Sequence, residues 1–435
     1  MSVRTAVADL AAFRRDPLVF LTRCARERGD RADLRLGPYR ALLLSHPELV
    51  AEMLVARARS LRKSPVLRAA RVVLGDGLLT SEGELHRRQR RLVQPAFAPG
   101  RLDTYATTMA TVAEAEALRL TPGRSVDVHA VMLRLTLAAA ARALFGRDIS
   151  AHATTVEHAL DDLLAAYGSP LLPVARVAQW LPLPAFRRLR RGRAGLDAVV
   201  AEVIASRTGG EHLLGALAAT DMGPRQLRDE VVTLLLAGHE TTASMLAWTC
   251  WLLAGDPDAR TALEAEADGL AERLGQRTPH RDDLALLPVA RGALAEALRL
   301  YPPSWAMGRQ VAQELTLGQR PVRRGTVLIA SQWVVHRDPR WWPQPERFDP
   351  WRWVADGGPR AADGGAERPR LAYFPFGAGP RMCVGEQFAW QEGVIALATM
   401  ARRWRFERVP GQVPTPDPRI TLRPRGGVWL RATPR

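Results

Sequence analysis

The sequence predicts a mainly α-helical body with a small β-rich portion, and three observations predict it. Alanine and leucine recur at three- and four-residue intervals to about residue 300, and proline or glycine punctuates the breaks. Strand-like runs are confined to the two ends of the chain. No linker, internal repeat or sustained low-complexity tract interrupts the 435 residues, 47% of them hydrophobic, which is enough for a large core. One domain over 1–435 is expected, with β-rich elements near 31–45, 326–331 and 418–432.

Taken in order, Asp9, Arg14, Arg15 and Asp16 near the N-terminus exclude the apolar core of a secretory signal or a membrane anchor. Ala32–Leu36 and Ala41–Ser45 then read as a hairpin about Gly37-Pro38. A helix follows with Pro47 in its first turn and Leu49, Val50, Met53 and Leu54 at helical spacing. Val231–Ala254 is long and apolar but carries Gly238-His239-Glu240-Thr241-Thr242 at its middle, so it reads as a buried core helix and not a membrane span. Leu294–Leu300 is a helix stopped by Tyr301-Pro302-Pro303, and Val354–Arg370 is a Gly/Pro-rich surface loop. Strand-like runs return at Thr326–Ser331, Ile420–Arg423 and Val428–Arg431, the last two joined through Arg425-Gly426-Gly427 as a hairpin.

The formal charge of +16 is nearly all arginine, with Lys63 the single lysine. No basic run has stacking aromatics interleaved with it, so nucleic acid is not the expected partner; a local patch for an acidic protein is the alternative to a merely solvated surface. Cys24, Cys250 and Cys383 are odd in number and far apart, which argues against disulfides or a zinc site and for a reducing cytoplasm.

Three motifs carry chemistry. Glu240 among leucines needs a reason. Either Gly238 and the threonine hydroxyls serve a helix kink, or an acid and an alcohol relay protons beside a reactive centre. Glu296 and Arg299 share a helix face; alone they would be an ordinary ion pair, but Arg347 offers a second guanidinium in an aromatic, proline-marked meander downstream. Phe374–Gly385 reads FPFGAGPRMCVG and fits neither a phosphate loop nor a dinucleotide fingerprint. Its glycines allow a tight fold, and the following apolar helix favours a Cys383 thiolate able to ligate iron. Arg381 is placed to pair with a carboxylate of the bound group.

With those residues in view, the chain resembles the cytochrome P-450 family over essentially its whole length. Phe376, Gly379, Arg381, Cys383 and Gly385 match the haem-thiolate signature. Ala237, Gly238, Glu240 and Thr241 match the oxygen-activation motif, and Glu296, Arg299 and Arg347 the structural charge cluster. His86 and Arg90 match a propionate-binding H-x-x-x-R, and Arg309 falls where another propionate partner is often found. The resemblance implies a triangular, mainly helical prism holding haem b, with Cys383 as the metal ligand. It implies Thr241 and Glu240 as catalytic residues, and His86, Arg90, Arg309, Arg381, Ala237, Gly238 and Phe376 as cofactor-binding residues. It places the substrate chamber among Leu78, Leu234, Ala237, Trp305, Met307 and Thr421, with further walls from Tyr167–Leu183.

The subgroup resembled is that of soluble bacterial monooxygenases near the terpenoid, steroid and fatty-acid hydroxylases. O2 is then the co-substrate, and electrons come from NAD(P)H through a ferredoxin and its reductase. A lipophilic substrate, a monomer and a cytoplasmic location complete the expectation. A peroxide-driven peroxygenase or isomerase, or a haem sensor without turnover, are the alternatives, and the filled acid–alcohol motif speaks against both.

Overall fold

Local chemistry starts and stops the elements of the computed structural model, which describes residues 3–167, 181, 183–205, 212–275, 277–354 and 368–435. The Asp16 carboxylate accepts from the Leu18 and Val19 N–H groups, both at 3.0 Å, and so opens helix Pro17–Arg28. Proline in the first turn opens helix Pro224–Leu253, and the Asp256 side chain caps helix Pro257–Leu274. The Tyr167–Leu183 wall and the Val354–Arg370 loop lie almost wholly outside the described residues.

Contacts divide the chain into two compact units, each assembled from separate stretches. The first comprises Met1–Leu67 and Ala295–Cys383 and contains a five-stranded sheet. Arg31–Leu36 pairs antiparallel with Tyr39–Leu44 across the expected turn, with Leu36 opposite Tyr39. Val327–Ala330 adds in parallel to Tyr39–Leu44, followed by Met307–Val311 and Leu61–Lys63, both antiparallel. Alternation along the second strand splits the core: Leu42 and Leu44 join Val50, Met53 and Leu328, while Ala41 and Leu43 join Phe20, Leu34 and Ile329. Both faces are covered, which is why that strand reads as an unbroken apolar run.

The helix expected at Pro47 is shorter than its pattern. Pro47–Ala51 is α-helical, and Glu52–Ala56 widens into a π-turn closed by Arg57 N–H donating to the Glu52 carbonyl at 2.7 Å.

The second unit comprises Arg68–Leu294 and Val384–Arg435. Helix Pro224–Leu253 runs through it without interruption, packed on Val128–Phe145 and Glu386–Arg403. Among the described residues, Val128–Phe145 alone is long and apolar enough to cross a membrane, and 78% of it is buried, as suits a core helix.

The C-terminal hairpin is a correction. Leu422–Arg425 pairs back to Thr415–Pro418, whereas Trp429–Pro434 lies between Ser125–Asp127 and Trp404–Arg408, so the two runs belong to different sheets. The Asp127 carboxylate decides this by accepting from Val428 N–H at 2.8 Å and His129 N–H at 3.0 Å. Gly427, with φ +86°, lets the chain pass there; a Cβ would sit 2.3 Å from an Asp127 oxygen.

Candidate active site

The cysteine loop of the first unit is a tight fold held from beneath. Cys383 N–H donates to the Phe376 carbonyl at 2.9 Å, and the thiol is exposed and in no disulfide. Gly379, at φ +71°, lies so near the π-turn that a Cβ would come within 2.1 Å of the Leu54 carbonyl oxygen. The widened turn and the missing side chain are therefore one fitted contact. Met307 packs on the same loop at Gly377, where a Cβ would meet its methyl at 2.8 Å.

Three cations gather beside this loop. Arg381 donates to the Leu61 carbonyl at 3.4 Å, and Lys63, on the same strand, stands directly opposite Arg309. Lys63 is only 4% exposed, and Arg309 also donates to the Gly308 carbonyl at 2.9 Å. Like charges directly opposite across strands repel, and an anion lying between them would reverse the sign. The sequence singles out Lys63 only as the one lysine and does not assign it to the site, because strand register alone brings it to Arg309.

Glu296 and Arg299 form the buried anchor of this unit, both fully inaccessible. Arg299 donates to both Glu296 oxygens at 2.7 and 2.9 Å, and to the carbonyls of His336, Pro345 and Arg347. The expected third guanidinium is corrected here. The Arg347 side chain is exposed and donates to Gln344, and only its carbonyl joins the cluster. Arg352, buried, takes the place, donating to Glu296 at 3.2 Å beside the Trp353 indole N–H at 2.9 Å. Arg347 fails because an exposed turn carries its side chain outward, while Arg352 stands on the buried 3₁₀ turn Pro350–Trp353.

The cluster reaches the cysteine loop through a residue the sequence did not flag. His336, buried, accepts at Nε2 from Phe374 N–H at 2.9 Å while its carbonyl takes Arg299. Burial, with Arg299 and Arg337 adding repulsion, holds it well below the usual histidine range, so it is the neutral acceptor this bond requires.

In the second unit, only Leu236, Ala237, Gly238 and Thr241 escape burial between Val231 and Leu253. Ala237 and Thr241, one turn apart on the same side, open a window in this buried stretch, with Gly238 next to them, whereas Leu236, two positions from Gly238, faces another way. The Thr241 hydroxyl donates to the Ala237 carbonyl at 2.7 Å, yet the helix continues without a break. Glu240 points away from the window, 4% exposed, and accepts from the Thr421 hydroxyl at 2.7 Å. Burial raises its pKa, and Arg423, at 3.3 Å, works against that rise.

Comparison with known proteins decides the family. The family model described as cytochrome P-450 matches residues 7–431. The chain belongs to the cytochrome P-450 family.

This cytochrome is 40% identical to cyclooctatin synthase of Streptomyces melanosporofaciens, covering 94% of the chain and 89% of that protein. It is 38% identical to cyclooctat-9-en-7-ol 5-monooxygenase of the same organism, over 92% and 87% of the two chains. The crystal structure of CYP175A1 from Thermus thermophilus superposes with a TM-score of 0.80 at 31% identity, covering 100% of this chain and 99% of that one. The protein is a mainly α cytochrome P-450 monooxygenase that uses haem and O2, acts on a lipophilic molecule and draws electrons from a redox partner.

The residues of this cytochrome fit the group. An exposed thiol suits iron, and the Lys63–Arg309–Arg381 cluster suits carboxylates. His86 and Arg90 share one face of helix Gly83–Val93, His86 buried and Arg90 half-buried, with Arg90 also donating to Gln94.

Of the chamber residues, Leu234 and Ala237 stand on the central helix at and beside the window. Leu78 is buried, its N–H donating to Glu230 at 3.0 Å. Thr421 is occupied with Glu240, so it belongs to the acid's anchor. Trp305 packs on Phe13, with ring centroids 6.4 Å apart, and on the Phe20–Ile329 cluster, so it stabilises the first unit's sheet.

Proposed function

We propose that this monooxygenase oxidises a terpenoid-like hydrocarbon, with Cys383 as the iron ligand and Thr241 and Glu240 as the proton relay. The observation that carries the reading is the window of Ala237 and Thr241, with Gly238 beside them: small apolar positions and a hydroxyl open together within the buried stretch Val231–Leu253. Small apolar residues there favour a greasy substrate, and Thr241 is the one polar residue between Val231 and Leu253 that escapes burial. The relatives' names support the class, since one is a monooxygenase of an alkenol and pentalenene oxygenase, 33% identical, takes its name from an alkene.

When bound, haem b supplies O2 activation, the hard chemistry; the chain binds, orients and delivers protons. Lys63, Arg309 and Arg381 hold carboxylates on their side, and His86 and Arg90 are assigned to the same task by their motif. Phe376 fixes the cysteine loop by accepting from Cys383 N–H. Ala237 and Gly238, lacking bulk, keep the window open. Thr241 presents its hydroxyl oxygen to a proton donor while its own proton rests on the Ala237 carbonyl. Glu240, one residue away, links that hydroxyl to solvent.

Electrons are assigned to NAD(P)H through a ferredoxin and its reductase, and the chain to a monomer acting as one domain in the cytoplasm. The odd number and wide spacing of Cys24, Cys250 and Cys383 support a reducing compartment.

The test is spectroscopic and then catalytic. Reduced holoenzyme with CO is expected to show the thiolate-ligated band, and Cys383→Ser to lose it. Product is expected to require NAD(P)H with a ferredoxin system; equal turnover with peroxide alone would identify a peroxygenase. Thr241→Ala should keep the band but release peroxide in place of product, with coupling falling about 100-fold. Coupling that survives the substitution would remove Thr241 from the relay.

A further inference from the structure

Glu240 is not merely buried; it is held at the inner end of a line of contacts that leads out to solvent. Its Oε1 accepts from the Thr421 hydroxyl at 2.7 Å and lies 3.3 Å from Arg423 Nε. The same guanidinium donates through Nη1 to Asp161 at 2.8 Å, on helix Ala153–Tyr167. Side-chain exposure rises stepwise along the line, from 5% for Glu240 through 12% for Arg423 to 58% for Asp161. One cation is thus divided between a buried carboxyl and an exposed one. Its inner contact is close but poorly aligned: Arg423 Nε is buried and has no hydrogen-bond partner, so Coulomb attraction alone holds it to Glu240.

We propose that Arg423 is a positioning residue that sets when Glu240 carries a proton, by dividing its charge between that acid and Asp161. Drawn inward, Arg423 favours the Glu240 carboxylate. Drawn outward by Asp161, it leaves the buried acid to its surroundings, which favour the protonated form. The other charged groups facing this point are few. Arg419 acts on Glu240 in the same sense as Arg423, Asp161 acts against them, and the buried His129 and His239 are held neutral beside Arg423. Neither histidine competes for the cation, so the carboxylates alone share it.

This inference rests on Glu240 being the acid of the relay, and the test separates the two. In holoenzyme, infrared titration follows the protonated carboxyl band that Glu240→Gln removes. Arg423→Gln should move the midpoint of that band to higher pH, and Asp161→Asn should move it to lower pH, because Arg423 then turns wholly inward. Arg423→Lys should return the midpoint toward that of the unaltered protein. Product formed per NAD(P)H should fall on the order of tenfold in Arg423→Gln, with an increased H2O/D2O rate ratio.

Opposite displacements from the two ends of the line are not what loss of packing produces. Shifts in the same direction, or an unmoved band, would overturn the shared-cation arrangement. Asp161 is exposed, so its variant keeps the proposal testable even if Arg423→Gln does not fold. If Glu240→Gln leaves coupling and rate ratio unchanged, the relay assignment fails while the infrared result still judges the role of Arg423.

Discussion

Glu296 is the residue on which the first unit's polar interior turns. Arg299, Arg352, the Trp353 indole and the Asp349 N–H all donate to its two oxygens. Removing that charge leaves two buried guanidiniums facing each other. Glu296→Gln is therefore expected to cost about 3–5 kcal/mol, read as an earlier midpoint in urea denaturation of the holoenzyme. A loss under about 1 kcal/mol, as for a surface pair, would refute it. The Glu296–Arg299 pair was legible because helical spacing fixes it. The choice between Arg347 and Arg352 was not, because only four residues separate them and no periodicity says which side chain turns inward.

Among elements, the cysteine loop depends on a histidine that must stay neutral. His336 in the folded state sits well below its ordinary value of 6.5, whereas unfolding restores that value. Its depressed pKa contributes stability above about pH 6.5, which is lost as the pH falls, at roughly 1.4 kcal/mol per pH unit. His129, pushed down to about 3, and His239, to about 4, act in the same sense elsewhere in the chain. His336→Gln keeps an acceptor for Phe374 N–H but does not titrate. Denaturation free energies between pH 6.5 and 5 should then fall less steeply in the variant; parallel slopes would exclude His336 from the acid response.

At the same scale, the first hairpin was readable because its turn lies between its two strands. Two of the C-terminal strands were readable as runs, but their pairing was not. Thr415–Pro418 contains two prolines that hide it from any propensity reading, and the partners of Trp429–Pro434 lie elsewhere in the sequence, at Ser125–Asp127 and Trp404–Arg408.

For the whole molecule, a charge of +16 makes electrostatic steering of an acidic electron donor the natural expectation. Helix Gly83–Val93 concentrates it, although Arg87 is paired with Glu84 and Arg88 with Asp221. Reversing Arg87, Arg88 and Arg91 to glutamate should slow reduction by an acidic ferredoxin at least about tenfold at low salt and flatten its salt dependence. Unchanged rates would place the docking surface elsewhere.

Lys63 has a practical consequence of a different kind. A chain with one lysine, and that one sealed beneath a sheet edge at 4% exposure, offers amine-directed reagents no accessible side-chain amine in its folded form. Lysine-specific proteases and the side-chain chemistry of acylating labels would pass over its arginine-covered surface, so modification of Lys63 marks molecules whose edge strand has come away.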